Sequence, residues 1–439
     1  MYALVNSIGQ FFAESMNILF GMSPEQVAIT LWPFLFLSLP RYVLAQFWVL
    51  GRSFRPEPHA KAVFRHKLAL EQPLVSVLLP GYNERDTLEG TVISLREQSY
   101  PNLEIVVISD GSDDGMDKIA RRLADRGWVR FFNHRVRGGK VSAANFALQA
   151  AHGDYIAICD ADTTFDRDAI WHLMEEFYRP EVTAVAGNVR VRNVTTNLIT
   201  RCQALQYILT IGLGRRVSDM LGILFIISGA FGAFRRSSLE KIGGWDTGPG
   251  EDADLTIKTR LTGGRITFAP LAVCMTDAPD TWWGFFRQQM RWNRSTVRFR
   301  LRKYGFLLRP WRRDVSFRNF IATVDVVLFQ VVFTFMFPCY LVWLYFTYPA
   351  LFPYLVCGVS LLYMGTLLVT FLIALALSDR PLADLKLLAY LPLYALFIGW
   401  YLRFVRLLAY TDEFLFRRSY KEPYVPAYVQ QETKKYQPW

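Results

Sequence analysis

Four short motifs hold the residue types that could do chemistry, and they follow one another along the chain. They are Asp110-Gly111-Ser112-Asp113-Asp114, Asp160-Ala161-Asp162, Gly250-Glu251-Asp252 and Gln288-Gln289-Met290-Arg291-Trp292. Breaking a bond to a diphosphate requires the leaving group's growing charge to be neutralised, which a divalent cation held by carboxylates and phosphates does. Asp160 and Asp162, separated by one small residue, can face a common ion. A lone pair of this kind is more often a turn, and the Asp110 cluster alone reads as an Asx-turn and helix cap. Asp252 has two readings: the cap of the helix-like run that follows it, or a base that removes a proton from an acceptor hydroxyl. Gly138-Gly139-Lys140 opens a helix, where backbone amides and an ammonium could meet phosphate. In the last motif an indole suits stacking on a sugar ring and a guanidinium suits phosphate oxygens. The plain alternative there is a basic interfacial helix with no catalytic part.

These residues need elements to position them. Leu74–Leu79, Glu104–Ser109, Val129–Asn133 and Tyr155–Cys159 are short apolar runs that read as strands. Between them Leu88–Gln98, Met116–Arg126 and Val141–Ala151 have helical spacing. Alternation of this kind predicts a mostly parallel sheet with ligands at the strands' C-terminal edge. Asp110 and Asp160 each fall just after a strand, on that edge. Two acidic clusters placed so after strands of one sheet are hard to ascribe to chance.

The 439 residues are 52% apolar and 15% aromatic, and mean hydropathy is +0.17, which argues against a purely soluble protein. Val27–Leu50 is long enough to span a bilayer, although Pro33, Pro40 and Arg41 interrupt it. Residues 1–22 read as an interfacial helix rather than a cleaved leader, because polar residues interleave their apolar ones. Residues 51–72 read as a polar linker, and 319–410 hold three apolar stretches that read as spans. Residues 281–318 carry eleven Lys or Arg and one acid, nearly the whole formal charge of +11. A basic segment beside spans predicts anionic lipid headgroups as partners and cytoplasmic placement of the sheet domain. Nucleic acid, the competing partner for basic charge, is set aside. Three spans would then carry the polar tail 411–439 outside, yet Arg403, Arg406, Arg417, Arg418 and Lys421 argue for inside. The two rules give opposite sides. The five cysteines show no metal-ligand spacing and read as free thiols in a reducing compartment.

Taken in order, Pro80-Gly81-Tyr82-Asn83-Glu84, Asp110-Gly111-Ser112, Asp160-Ala161-Asp162, Gly250-Glu251-Asp252 and the QxxRW pentad resemble the signature of processive family-2 glycosyltransferases. That group includes hyaluronan, chitin-oligosaccharide, poly-N-acetylglucosamine and cellulose synthases. The resemblance covers residues 74–305. It implies a GT-A-type α/β catalytic domain (74–280), basic interfacial helices with QxxRW (281–318) and an α-helical transmembrane region (27–50 and 319–410). It further implies a multi-pass protein of the cell membrane that transfers from a UDP-sugar with Mg²⁺ or Mn²⁺, inverting the anomeric carbon.

By match to the family's motifs, Tyr82, Glu84, Asp110, Lys140 and Asp160 would bind the nucleotide. Asp162, with Asp160, would hold the metal, and Asp252 would be the general base. Gln288, Arg291 and Trp292 would form the acceptor and diphosphate site. Arg287–Ser295 and Gly250–Thr256 resemble the hyaluronan and chitin-oligosaccharide branch, whereas Ile227-Ser228-Gly229-Ala230-Phe231 through Arg235-Arg236-Ser237 looks closer to poly-N-acetylglucosamine synthases. This mixed profile favours UDP-N-acetylglucosamine as donor. The Trp-Gly-Thr-Arg segment of hyaluronan synthases has no counterpart, the comparable region being Thr411–Arg418. The expected function is therefore a processive synthase that elongates a β-linked polysaccharide and passes it through its own helices, alone or with a partner subunit. Arg403 and Arg406, inside the last apolar stretch, would line that path or snorkel to the interface. The alternatives are use of UDP-glucose or another UDP-sugar, a glycolipid enzyme of ceramide-glucosyltransferase type, and an inactive nucleotide-binding subunit.

Overall fold

β1 (Val75–Gly81) is buried along its whole length, as a strand covered on both faces must be, and its sequence accordingly runs apolar rather than alternating. The computed structural model describes residues 2–248, 250–421 and 425–436. Pro249 of the glycine-bounded loop, and 422–424 and 437–439 of the tail, lie outside the described residues.

Eight strands form one sheet: β1, β2 (Leu103–Asp110), β3 (Arg130–His134), β4 (Tyr155–Cys159), β5 (Thr164–Phe165), β6 (Val182–Val191), β7 (Phe231–Arg235) and β8 (Arg265–Thr276). Their spatial order is β3-β2-β1-β4-β7-β6-β8-β5. The half built from β1 to β4 is parallel, as the sequence pattern predicts. Antiparallel β7 then joins it to the second half, so the whole sheet is mixed. Helices Leu88–Arg96, Met116–Asp125 and Lys140–Ala150 fall between the first four strands. The last of these places Val141, Ala144 and Leu148 in one core with Leu78, Val106 and Ile156. Burying each such aliphatic side chain contributes about 1.5–3 kcal/mol. That makes the parallel half a firm base for the loops at its edge.

The chain divides into two compact units, Met1–Arg55 with Leu328–Leu407 and Pro56–Val327 with Leu408–Trp439. Part of the segment read as a polar linker is a helix, His59–Glu71, docked on the sheet unit. Lys61 pairs with Glu176 at 2.5 Å and Arg65 with Glu175 at 2.7 Å. Its polarity serves ion pairs, which composition could not separate from solvation.

In the other unit, helix Tyr2–Phe20 packs along helix Phe352–Ala376. Ser15 is fully buried, with its carbonyl close to Gly358, and the Phe11 and Tyr354 rings lie 4.9 Å apart. It is therefore packed against protein as well as amphipathic.

Among the described residues two helices are long and apolar enough to cross a membrane, Phe317–Thr347 and Phe352–Ala376. A third candidate, Pro381–Leu396 with Gly399–Phe416, is bent by 51° at its break. The Val27–Leu50 stretch is covered by shorter helical pieces, Pro24–Trp32, Pro33–Ser38, Pro40–Leu44 and Ala45–Ser53, two of them opening on its interior prolines. It is not one of the candidate spans.

Candidate active site

The site is assembled at the C-terminal edge of the parallel strands. Asp110, the last residue of β2, is buried, and its two carboxylate oxygens accept the Gly138 and Gly139 amides, each at 2.7 Å. Those amides, expected from sequence as phosphate donors, are thus already taken by Asp110. The loop they belong to is pressed onto Gly111, whose α-carbon faces the Arg137 backbone. Arg137 turns back over the Tyr82 ring, its guanidinium carbon 3.8 Å from the ring centre.

The loops after β1 and β2 are tied together. Asn83 donates its side-chain amide to Asp113 at 2.7 Å and accepts the Asp113 backbone amide at 3.0 Å. The backbone amides of Arg85 and Met116 both donate to Asp114. The acidic cluster after β2 is therefore a hinge between two loops and the start of the next helix. The Asx-turn reading of its second half is structurally sound, and it leaves Tyr82 and Glu84 facing the site.

Lys140 starts the next helix and reaches across the edge. Its Nζ lies 2.5 Å from Asp160 Oδ1 and 3.6 Å from Glu251. Burial opposes its charge, but Asp160 and then Glu251 outweigh that and hold the ammonium above the ordinary lysine range. This one residue links the carboxylates after β4 to helix Glu251–Leu261. That helix is capped by Gly250 in the left-handed region (φ +88°), where a side chain would be strained and would also meet Ser295. Asp252 is consequently not the cap: it sits inside the first turn, with one oxygen accepting the Ala253 amide at 2.8 Å.

Crowded carboxylates outnumber the nearby cation. Burial, and then the Glu251 charge, push Asp252 up to about 6 against the pull of Lys140. Burial raises Glu84 to about 7; its hydrogen bond from Thr87 opposes this, while Asp162, Asp160 and Asp114 add to it. Asp162 is raised by burial and by Asp160. Mutual repulsion of this kind is what an added cation would relieve. Among the described residues no three His, Cys, Asp or Glu side chains form a metal-holding group by themselves.

The pentad lies on helix Trp282–Thr296. Trp292 is exposed, with its ring 6.5 Å from that of Tyr207 at the end of helix Leu198–Tyr207. Burial raises the Tyr207 phenol, opposed chiefly by the positive charge of Arg291, while Asp162 adds to the rise. Tyr207 thus feels both the pentad's Arg291 and the Asp162 carboxylate, and its ring neighbours Trp292. Gln288 Oε1 is buried without a hydrogen-bond partner.

The basic run after the pentad is not a lipid-facing stripe along its length. Arg298 and Arg300 are buried and donate to the carbonyls of Ser419 and Phe225. Arg294 pairs with Asp412, Arg302 with the fully buried Glu413, and Lys303 with Asp246 and Asp254. Their acidic partners lie far away in sequence, so local charge counting sees only the positive half. Arg309 and Arg313 remain exposed beside Trp311, just ahead of the span that starts at Phe317.

Sequence reasoning missed Tyr207, Arg137 and Arg215. Arg215 is buried, donates to the Gly187 carbonyl at 2.9 Å, and is lowered to about 10 by burial, with Asp252 opposing. A charged pair, Arg215-Arg216, near an apolar stretch was the available signal. Arg403 and Arg406 belong to the other compact unit. There the Arg403 guanidinium lies over the Phe337 and Tyr363 rings at 4.6 and 5.4 Å, and Arg406 Nε is buried without a hydrogen-bond partner.

Residues 76–243, which contain the first acidic clusters and Lys140, match the glycosyl transferase family 2 domain. The poly-beta-1,6-N-acetyl-D-glucosamine synthase of Staphylococcus epidermidis is 27% identical over 375 residues, covering 84% of this chain and 90% of that one. Its namesake in Staphylococcus aureus strain MSSA476 is 30% identical over 264 residues, covering 60% and 64%. Among solved structures, a mannosyltransferase from Pyrobaculum calidifontis in complex with GDP-Man and Mn2+ aligns with a TM-score of 0.55 and 20% identity. It covers 85% of this chain and 99% of that one, a likeness that shows the GT-A-like fold. The family match falls on strands β1–β7 and the loops with Asp110, Lys140, Asp160 and Asp162, and ends before Asp252 and the pentad. Residues 76–243 are therefore a glycosyl transferase family 2 domain in a chain similar to these synthases over most of its length.

Proposed function

We propose that the enzyme is a processive, inverting polysaccharide synthase that adds sugars from UDP-N-acetylglucosamine to a growing β-linked chain and passes it across the membrane. The observation that carries the chemistry is the Lys140 bridge, which joins Asp160 to the helix bearing Asp252. It brings a donor-side carboxylate pair and a raised carboxylate into one cleft edge. The similarity to synthases over most of the chain supports the polymer and the donor sugar.

In this reading the acceptor hydroxyl attacks the anomeric carbon in line with the leaving diphosphate. Asp252 takes the hydroxyl proton as the new C–O bond forms, the bond to the diphosphate breaks, and UDP departs. Inversion follows from a single displacement and needs no covalent nucleophile. Tyr82 and Glu84 would flank the uridine, with Asp110 shaping the loop behind it. Asp160 would hold the ribose, and Lys140 the phosphate edge. Gln288 and Arg291 would bind acceptor and diphosphate, with Trp292 and Tyr207 as an aromatic wall for the acceptor sugar. The carboxylates of Asp162 and Asp160, crowded and short of positive charge, fit a hard divalent ion whose remaining ligands are phosphate and water oxygens. Mg²⁺ or Mn²⁺ bound there would neutralise charge on the departing diphosphate.

The apolar helices would place the enzyme in the cell membrane with its sheet domain cytoplasmic. Trp311, Arg309 and Arg313 would meet anionic headgroups, and Arg403 and Arg406 would line the polymer path in the membrane unit. A partner subunit is compatible with this arrangement.

The test is product analysis. Purified protein with Mg²⁺ or Mn²⁺ and single UDP-sugars should release UDP fastest from UDP-N-acetylglucosamine and yield a ladder that a β-linkage-specific hydrolase digests. A single glycosylated lipid in place of the ladder would overturn the synthase reading.

A further inference from the structure

The end of the last helix, Gly399–Phe416, and the tail that follows fold back onto the catalytic domain and touch both sides of its site. At the acceptor side Asp412 pairs with Arg294 at 2.8 Å. Glu413, fully buried, pairs with Arg302 and accepts the Ser419 amide at 2.7 Å, and Tyr420 lies under the Arg298 guanidinium at 4.1 Å. These partners all follow the pentad on one continuous helical segment, Trp282–Lys303. At the donor side, Val425–Gln430 reaches the loop before Lys140. The Tyr428 hydroxyl donates to the Arg137 carbonyl at 2.5 Å. Pro426 lies so close to Gly139 that a β-carbon there would stand 3.3 Å from it, and Gly139 has φ +88°.

That loop carries three features of the donor edge at once. Arg137 covers the Tyr82 ring, the glycine amides hold Asp110, and Lys140 follows directly. Asp110 and Gly111 brace it from inside the domain, and Tyr428 and Pro426 brace it from outside. Tyr428 and Pro426 meet this loop, and Asp412, Glu413 and Tyr420 meet the helical segment after the pentad, so this stretch of chain touches both halves of the reaction site.

We propose that Val425–Gln430 completes the donor site, and that Tyr428 is a positioning residue that holds Arg137 against Tyr82 for a nucleoside diphosphate. The inference rests on the reading of Tyr82 as part of the uridine site. Tyr428 acts through the loop and touches no reacting atom, so its loss weakens donor binding and leaves the chemical step largely intact.

The experiment uses full-length protein in detergent or nanodiscs, with UDP binding followed by calorimetry and donor kinetics followed by UDP release. Tyr428 is 50% exposed, so Tyr428→Phe removes one hydroxyl without opening the core. The expected result is a roughly three- to tenfold weaker UDP affinity, the size of one hydrogen bond, with donor KM raised alike and kcat within about twofold. Tyr428→Ala should weaken UDP at least as much, and Tyr82→Ala more than either. Unchanged UDP affinity in Tyr428→Phe, with binding lost in Tyr82→Ala, overturns the inference and leaves the donor-site reading standing. Wild-type UDP affinity in Tyr82→Ala overturns that reading and this inference with it. A fall in kcat with KM unchanged in Tyr428→Phe also overturns it.

Discussion

In the proposed mechanism Asp252 is the residue on which the chemistry turns. Burial and Glu251 set its carboxyl at about 6, close to where a general base works near neutral pH. As pH falls through about 6 the carboxyl takes up a proton and kcat/KM should drop, an acid limb shared with Glu84, which stands near 7. Stability should respond with the opposite sign. The folded carboxyl binds its proton at a higher pH than the unfolded one, so this group adds stability as pH falls from about 6 toward the ordinary aspartate value. A pH–rate profile set beside a pH–melting profile checks both. Asp252→Asn should lower turnover by about 10²–10⁴-fold and erase the limb while calorimetry still detects UDP. Substantial residual turnover would remove Asp252 from the base role. The identities of Asp160, Asp162 and Asp252 are legible in the sequence, but their protonation is not, because it comes from neighbours brought in by folding.

At the scale of elements, strands β1 to β4 and the helices between them lie within one or two residues of where apolar periodicity puts them. β1, β2 and β4 bury continuous apolar runs, and that is the signal periodicity reads; β3 is only partly buried. The basic segment is the opposite case. Eleven cations in 281–318 read locally as a membrane-facing surface, yet five of those discussed above turn inward onto Asp412, Glu413, Asp246, Asp254 and two backbone carbonyls. Removing one member of a buried pair leaves the other charge uncompensated, at a cost of about 3–5 kcal/mol. Arg302→Met should therefore lower the thermal midpoint by several degrees in scanning fluorimetry. Arg313→Met, at an exposed position, should leave it within about a degree. Equal melting of the two variants would show that the Glu413–Arg302 pair contributes nothing. The helix His59–Glu71 escaped notice for the same reason, since its polar residues pair with Glu175 and Glu176, more than a hundred positions away.

For the whole molecule, the conflict between three spans and a basic C-terminal end becomes a prediction that labelling can test. The chain leaves the catalytic unit at Val327 and rejoins it at Leu408. Residues beyond Leu408 are bound to that unit by Asp412, Glu413 and Tyr428, which predicts that they share its side of a bilayer. The topology predicted from this has an even number of crossings between the two points, with Phe317–Thr347 and Phe352–Ala376 as the two and the bent pair Pro381–Leu396 and Gly399–Phe416 entering and leaving on one side. An impermeant thiol reagent applied to intact cells, in a background without native cysteines, should label a cysteine placed at Ala350 and spare one placed at Arg418. Labelling at Arg418 would require an odd count and would detach the tail from the catalytic domain.

The sequence by itself determined the glycosyl transferase family 2 domain, the parallel half of the sheet and the acidic residues at its edge. Those properties are carried by side chains a few positions apart, where periodicity and motif spacing are visible. Tertiary structure alone decided that Lys140 joins Asp160 to the Asp252 helix, that the glycine amides serve Asp110, and that Tyr207 faces Trp292. It also decided that the tail returns to brace the loop over Tyr82. Each of these contacts joins residues between about 20 and 290 positions apart. Their energy depends on burial and on partners that no local window of sequence contains.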